Sequence, residues 1–166
     1  MLKKREKKVL IELLKNGRKP DKHIAKDIGT TQTTVTRIRQ KLEREEYVEN
    51  YRARANLKKS GLSIIATTIF EWTDFSKKDV RELAKKYILK HSSVVFFARG
   101  KGMSGKTTII ITAHHNFQEY DLFVDGLREK WDNYIRNFDC FMTSVDTIYK
   151  RFCTKDAVIS RLKEGE

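Results

Sequence analysis

The stretch Ile24-Ala25-Lys26-Asp27-Ile28-Gly29-Thr30-Thr31-Gln32-Thr33-Thr34-Val35-Thr36-Arg37-Ile38-Arg39-Gln40-Lys41-Leu42 decides the fold of the first third of this chain. Ile24, Ala25 and Ile28 recur at helical spacing, and the residue after them, Gly29, is the one best able to take a left-handed cap. Thr30-Thr31 then offers an N-cap to a second helix of about 15 residues, with Val35, Ile38 and Leu42 on one stripe. Two helices joined by a tight turn containing Gly form a helix-turn-helix pattern. At about 100° per residue, the face opposite that stripe carries Thr33, Thr36, Arg37, Gln40 and Arg44. Gln pairs with adenine and Arg with guanine in the major groove, and Thr offers a methyl to thymine. The bland alternative is the solvated polar face that every surface helix has. Threonine at 31, 33, 34 and 36 is poor helix-forming composition, which favours a functional reason.

Outward from this stretch, Pro20 is tolerated only in a first helical turn, so the helix of Ile24 starts there. Before it, Leu2, Val9, Leu10, Leu13 and Leu14 predict an amphipathic helix over 3–15, ending near Asn16-Gly17. After it, residues 47–55 (Tyr47-Val48-Glu49-Asn50-Tyr51-Arg52-Ala53-Arg54-Ala55) read as a strand, a wing whose Arg52 and Arg54 face backbone phosphates. Lys22 and Arg44 are further candidates for backbone contact. Asn56 to Gly61 is turn-prone and marks a domain boundary.

Charge follows the same division. The 166 residues carry a net charge of +13, and residues 1–60 hold 18 Lys+Arg against 8 Asp+Glu. A basic first third on a nearly balanced remainder points to a polyanion-binding module joined to something else. No stretch approaches the length of a membrane span, and the N-terminus lacks a signal-peptide apolar core. Two cysteines, Cys140 and Cys153, make no disulfide framework or metal-site spacing. The expectation is a cytoplasmic protein with no membrane association, cofactor or metal.

The run Asn16-Gly17-Arg18, Ile24-Ala25-Lys26-Asp27-Ile28-Gly29, Thr34-Val35-Thr36-Arg37 and Lys41-Leu42-Glu43 resembles the winged helix-turn-helix of the Lrp/AsnC (feast/famine) transcription regulators. Tyr47-Val48, Tyr51-Arg52-Ala53, Asn56-Leu57 and Gly61-Leu62 are similar to that family's wing and hinge, in the same register. Pro20 stands where the family often has a Ser cap. Glu46 stands where a Gly usually precedes the wing.

The second half alternates differently. Strands are predicted over 63–72, 94–98 and 107–113 and within Phe138 to Phe152. A helix capped near Asp74 or Ser76 carries Val80, Leu83, Ala84, Tyr87 and Ile88, and another opens at a capping box, Asn116-x-x-Glu119. The order βαββαβ is the ferredoxin-like arrangement. The family resemblance implies that this is a RAM domain, which makes dimers and assemblies up to octamers and often binds an amino-acid effector. The fold class is therefore α+β: residues 1–61 a winged helix-turn-helix, 62–152 a ferredoxin-like domain, and 153–166 a tail. In that tail Val158, Ile159 and Leu162 suit one helical turn docked on a partner subunit, or a disordered end.

One motif competes. Gly100-Lys101-Gly102-Met103-Ser104-Gly105-Lys106-Thr107 satisfies the phosphate-loop pattern G-x-x-x-x-G-K-[ST]. In that reading the loop amides cradle phosphates, Lys106 reaches the terminal ones and Thr107 holds magnesium. The motif needs a helix directly after the Lys, whereas Thr107 to Thr112 is strongly strand-prone. No later strand ends in a suitable Asp, and too few residues remain for the fold. The alternative is a long hairpin loop, with Gly100, Lys101, Lys106 and Thr107 as an anion or effector loop. Effector-responsive relatives resemble Gly-x-x-Asp-Tyr here, whereas this loop has no carboxylate. That predicts either no amino-acid effector or an anionic one.

His23, His91, His114 and His115 fit surface or packing positions better than chelation, and Asp139, Asp146 and Cys140 have no nameable partner. The expected function is a sequence-specific, non-enzymatic transcription regulator on double-stranded DNA, working as a homodimer or larger assembly. The rivals are a non-specific architectural DNA coater and a nucleotide-dependent enzyme built on the Gly100–Thr107 loop.

Overall fold

The computed structural model describes residues 2–73, 76–150 and 154–164, and the chain divides into two compact units. One comprises Met1–Arg54 with Arg151–Glu166, and the other Ala55–Lys150.

The first unit is built on α1 (Lys4–Lys15), α2 (Asp21–Ile28) and α3 (Gln32–Arg44), with α6 (Lys155–Lys163) added from the far end of the chain. Val9, Ile24, Val35 and Leu42 are fully buried at its centre, as the helical periodicity predicts. α2 ends at Gly29 with φ 70°, a left-handed cap that a Cβ would strain. Thr31 caps α3, its hydroxyl accepting from the Thr34 N–H at 3.3 Å. Glu6 joins two helices: its carboxylate accepts from the Lys3 N–H and from Lys41 Nζ, both at 2.7 Å. Those bonds, Lys41's first, hold the Glu6 carboxyl below its ordinary value. The tail, open between two fates in the sequence, folds as α6 and packs Leu162 against this core.

The predicted wing strand does not form. Residues 45–48 are turns and bends, and 49–56 are irregular. A strand needs a neighbour to complete its backbone ladder. Here side chains hold the segment instead, as described below. Glu46, where the family usually has Gly, adopts φ 58°. A left-handed conformation costs an ordinary residue about 1–2 kcal/mol, against about 0.5–1 kcal/mol of extra chain entropy for Gly. Glu46→Gly is therefore expected to stabilise the first unit by about 0.5 kcal/mol, read as a higher urea midpoint at unchanged slope. A lower midpoint would count against strain at this residue.

The second unit is a four-stranded antiparallel sheet, order β2-β3-β1-β4, with helices α4 (Lys78–Lys90) and α5 (Phe117–Trp131) on one face. The strands are β1 (Ile64–Trp72), β2 (Val94–Arg99), β3 (Thr108–His114) and β4 (Ile135–Ser144). This is the ferredoxin-like order the sequence predicts. Alternation along β1 buries Ala66, Thr68, Phe70 and Trp72 under the helices, with Ile110, Phe123 and Leu127. β4 begins before the predicted Phe138 and stops at Ser144, where Val145–Thr147 turns. Phe152 and Cys153 lie outside the described residues. α4 is capped by Lys77 without a side-chain bond, rather than by Ser76; Asp74 also lies outside the described residues. The Asn116 capping box is displaced by one residue: Asn116 Oδ1 accepts from the Glu119 N–H at 2.9 Å, and the Glu119 carboxylate accepts from the His115 N–H at 2.8 Å.

His114 is sealed in this unit, edge-on to Tyr120 with centroids 5.5 Å apart, and its Nε2 has no hydrogen-bond partner among the described residues. Burial holds its pKa below 6.5, opposed by the Glu119 carboxylate and aided by His91. A neutral His in the fold and an ordinary one in the unfolded chain mean that unfolding takes up a proton in mild acid. This contribution to stability is complete above about pH 6.5 and declines as pH falls through 6.5 toward the folded value. His114→Phe is expected to flatten the stability profile between pH 7.5 and 5 relative to the parent chain. Parallel profiles in chemical denaturation would refute this.

Candidate nucleic-acid interface

The outward face of α3 carries Thr33, Arg37, Gln40 and Arg44, all exposed, and Lys22 projects from the first turn of α2. Among the described residues none of Lys22, Arg37, Arg44, Arg52 and Arg54 has an ion pair. Four other cations of this unit, Lys15, Lys19, Arg39 and Lys41, are held by carboxylates. Lys19 joins the Glu12 and Asp27 carboxylates; Lys15 and then Lys19 hold the Glu12 carboxyl below its ordinary value, and Lys19 does the same for Asp27. Lys41 holds Glu6, and Arg39 holds Asp21. Among the described residues the cations of α2, α3 and the arm after α3 thus divide into a set held by carboxylates and a set without ion pairs, and Lys4, Arg5, Lys8 and Arg18 also lack ion pairs.

Thr36 departs from its expected role. Its hydroxyl donates to Asp21 Oδ2 at 2.7 Å and lies 3.1 Å from the Gln32 carbonyl oxygen, and the residue is half-buried. Only its methyl and a lone pair remain for a base edge. The cause is angular. Thr33, Gln40 and Arg44 lie within about 30° of the pole opposite the buried stripe, whereas Thr36 and Arg37 lie about 50° to either side of it, Thr36 on the flank where Asp21 of α2 reaches its hydroxyl.

A network that sequence reasoning missed fixes this geometry. Arg39 Nε donates to Asp21 Oδ1 at 2.7 Å, its Nη2 donates to the Lys19 carbonyl at 2.9 Å, and its Nη1 to Tyr51 Oη at 3.2 Å. Tyr51 in turn donates to Glu43 Oε1 at 2.7 Å. Burial lowers the Arg39 pKa, but the bonds to Asp21 and Tyr51 outweigh it and the net shift is upward, so the cation is permanent. Burial, reinforced by Glu43, pushes the Tyr51 phenol up. The ring of Tyr51 lies against Gly17, where an added Cβ would come within 2.8 Å of it. These side-chain contacts tether the arm that carries Arg52 and Arg54. One signal for Arg39 was present: four residues after Val35 and three before Leu42, it flanks the core stripe.

In the second unit the Gly100–Thr107 segment is a hairpin loop, and the residues after it form β3 rather than the helix a phosphate loop requires. Three of its amides are engaged: Gly100 N–H donates to the Thr107 carbonyl at 2.9 Å, Gly102 N–H to the Lys106 carbonyl at 2.7 Å and Thr107 N–H to the Phe70 carbonyl at 3.0 Å. Lys106 is paired with Asp139 at 2.7 Å, and the Thr107 hydroxyl accepts from the Trp72 N–H at 2.9 Å. Lys101 alone of its candidate side chains stays exposed. The inference from a loop without carboxylates needs correction, because tertiary structure brings two to it. Asp139 comes from β4. Glu71 comes from β1, held by Asn137 Nδ2 at 2.8 Å and lying beside Gly105. Asn137, with φ 49°, sits where the β1–β4 register shifts. Among the described residues no group of three His, Cys, Asp or Glu is placed to hold a metal, and no helix is long and apolar enough to cross a membrane.

Residues 2–49 match the winged helix-turn-helix DNA-binding family. The HTH-type transcriptional regulator LrpA of Pyrococcus horikoshii is 32% identical over 87 residues, which span 52% of this chain and 62% of that protein. The whole architecture, both units included, recurs in solved structures. An AsnC family transcriptional regulator from Agrobacterium tumefaciens superposes with TM-score 0.79 at 17% identity, covering 94% of this chain and 99% of that one. The fold is that of solved Lrp/AsnC regulators, while the curated relative is matched over less than two thirds of its own length. AsnC of E. coli shares the Lrp/AsnC fold at TM-score 0.70 and 16% identity, over 92% of this chain and 98% of its own. A transcriptional regulator from Neisseria meningitidis, solved in complex with L-Met, superposes at TM-score 0.77 and 18% identity, over 95% and 99%. Within the matched region α2 and α3 take the place of the helix-turn-helix, and the segment after α3 is an irregular arm.

Proposed function

We propose that this chain is a sequence-specific, non-enzymatic DNA-binding transcription regulator that acts as a dimer or larger assembly of copies. The observation that carries the reading is the sorting of charge around α3. Arg37 and Arg44 stand unpaired beside Thr33 and Gln40, with Lys22, Arg52 and Arg54 on neighbouring elements, while Lys19, Arg39 and Lys41 are held by carboxylates. Thr33, Arg37 and Gln40 read base edges, and Lys22, Arg44, Arg52 and Arg54 hold phosphates. Thr36 contributes mainly by orienting α3 against α2.

Assembly is supported by the second unit. The sheet face away from α4 and α5 presents Ile65, Ile69, Ile109, Ile111 and Phe141, all half-buried or exposed, and Phe141 is 71% exposed. An apolar sheet face of this kind fits a second copy. Two recognition helices related by a two-fold axis would then meet half-sites one helical turn, or a multiple, apart.

The test is selection of bound sequences from random duplex DNA, followed by affinity for the selected and a random sequence at one salt concentration. A ratio of about 10³ or more supports the regulator, and one below about 10 makes the protein a coater. Engagement of the loop amides and of Lys106 leaves the nucleotide-hydrolysing rival without a phosphate cradle. Measurable ATP or GTP binding abolished by Lys106→Ala would restore it.

A further inference from the structure

Beneath α4, between its inner face and the helix-covered side of the sheet, lies a cavity of about 340 Å³. Phe70, Trp72, Ile88 and Phe97 make it predominantly apolar, and Ala84 keeps the helix side shallow. Arg81, Glu82, Lys85, Arg99 and Thr108 supply its polar edge. The Arg81 Nε is shut off from solvent and has no acceptor among the described residues. Lys85, on the same helix face, pairs only loosely with Glu82 at 3.6 Å, and both are about half exposed.

A buried donor without an acceptor is uncommon in folded proteins and is unfavourable as long as it stays unmade. Arg81 also lines an apolar hollow, where it stands with Lys85 and Arg99 against Glu82, three cations to one carboxylate, so the ligand that suits it is negatively charged and carries an apolar body. The volume is about twice that of an engineered cavity of about 150 Å³ that holds benzene, enough for one ring and a short acidic arm.

We propose that this cavity binds a small aryl carboxylate, with its ring among Phe70, Trp72 and Phe97 and its carboxylate accepting from Arg81. The Arg81 guanidinium donates in the plane of the carboxylate, a geometry that Lys cannot reproduce. Lys85 adds a second positive charge at the rim, so an aryl ammonium of the same size is rejected. The site is distinct from the Gly100–Thr107 loop, since its ligand-facing cation comes from α4.

Phenylacetate is the probe, titrated into the full chain by calorimetry and by the fluorescence of Trp72. About ten non-hydrogen atoms at ordinary ligand efficiency correspond to a Kd of about 0.1–1 mM. The expected result is one phenylacetate per chain in that range and no saturable signal from phenethylamine or acetate. Arg81→Gln is expected to weaken phenylacetate at least about tenfold, as loss of a charge-assisted bond implies, and Arg81→Lys to recover only part of it. Equal binding of phenethylamine, no saturation by phenylacetate, or unchanged affinity in Arg81→Gln would each overturn the proposal. The comparison of phenylacetate with phenethylamine on the parent chain needs no variant, so a misfolded substitution cannot shield the proposal from refutation.

Discussion

Arg37→Ala is expected to lower affinity for the selected DNA sequence about 10- to 100-fold while changing random-sequence affinity only a few-fold. Arg37 is exposed, lies near the outer pole of α3 and has no ion pair among the described residues, so its removal leaves the fold intact. A bidentate contact from Arg to guanine discriminates by about 1–3 kcal/mol, which sets that range. Arg54→Ala should behave differently, weakening all sequences alike and reducing the salt dependence by about one counterion. Electrophoretic or fluorescence titrations at several salt concentrations separate the two patterns. An Arg37→Ala variant that loses selected and random DNA equally would remove Arg37 from base readout.

Arg39→Ala, two residues along the same helix, is expected to act on the fold: about 2–3 kcal/mol of stability lost from the first unit, read by urea denaturation. Arg39 is 18% exposed at its side chain and Asp21 16%, so the pair is mostly desolvated. Removing the cation strands the Asp21 carboxylate, leaves the Lys19 carbonyl without its donor and frees Tyr51 from its anchor. Breaking a fully buried pair costs about 3–5 kcal/mol, and the residual exposure reduces the expected loss here. Asp21→Asn in the same chain removes the stranded charge and is expected to restore part of that loss. DNA affinity should fall only as far as the folded fraction falls. An Arg39→Ala variant as stable as the parent would mean that the network contributes no net stability.

These two arginines show how much of the interface was legible in the primary structure. Both are basic residues on one amphipathic helix, and periodicity alone places Arg37 outward and Arg39 at the flank of the core stripe. Local rules worked wherever the controlling interaction spans one turn: the Gly29 cap, the Thr31 cap, the buried Val35, Ile38 and Leu42, and the alternation along β1. They failed where the partner is distant. Thr36 looked like a reader until Asp21, 15 residues earlier, took its hydroxyl. The arm after α3 has strand composition, but no second strand lies beside it, and Tyr51 anchors it through Arg39, Glu43 and Gly17 instead.

The hairpin loop makes the same point for the second unit. Its residues satisfy a phosphate-binding pattern one by one, yet the β-branched run after Lys106 forms β3, and its amides close on the loop itself. Its missing carboxylates arrive from other strands, Glu71 on β1 and Asp139 on β4.

The amino-acid sequence by itself determined the order and type of most elements, the two-part organisation, the concentration of positive charge in the first 60 residues and the outward pole of α3. Each of these follows from composition or from spacings of two to four residues, which the chain carries before it folds. Tertiary structure alone decided which positive charges are available and which are internal. It also decided that the Thr36 hydroxyl is bonded to Asp21, that the segment after α3 is an irregular arm, and that Arg81 lines a largely apolar cavity. Those outcomes depend on partners brought together by chain closure, and no local pattern encodes the distance between them.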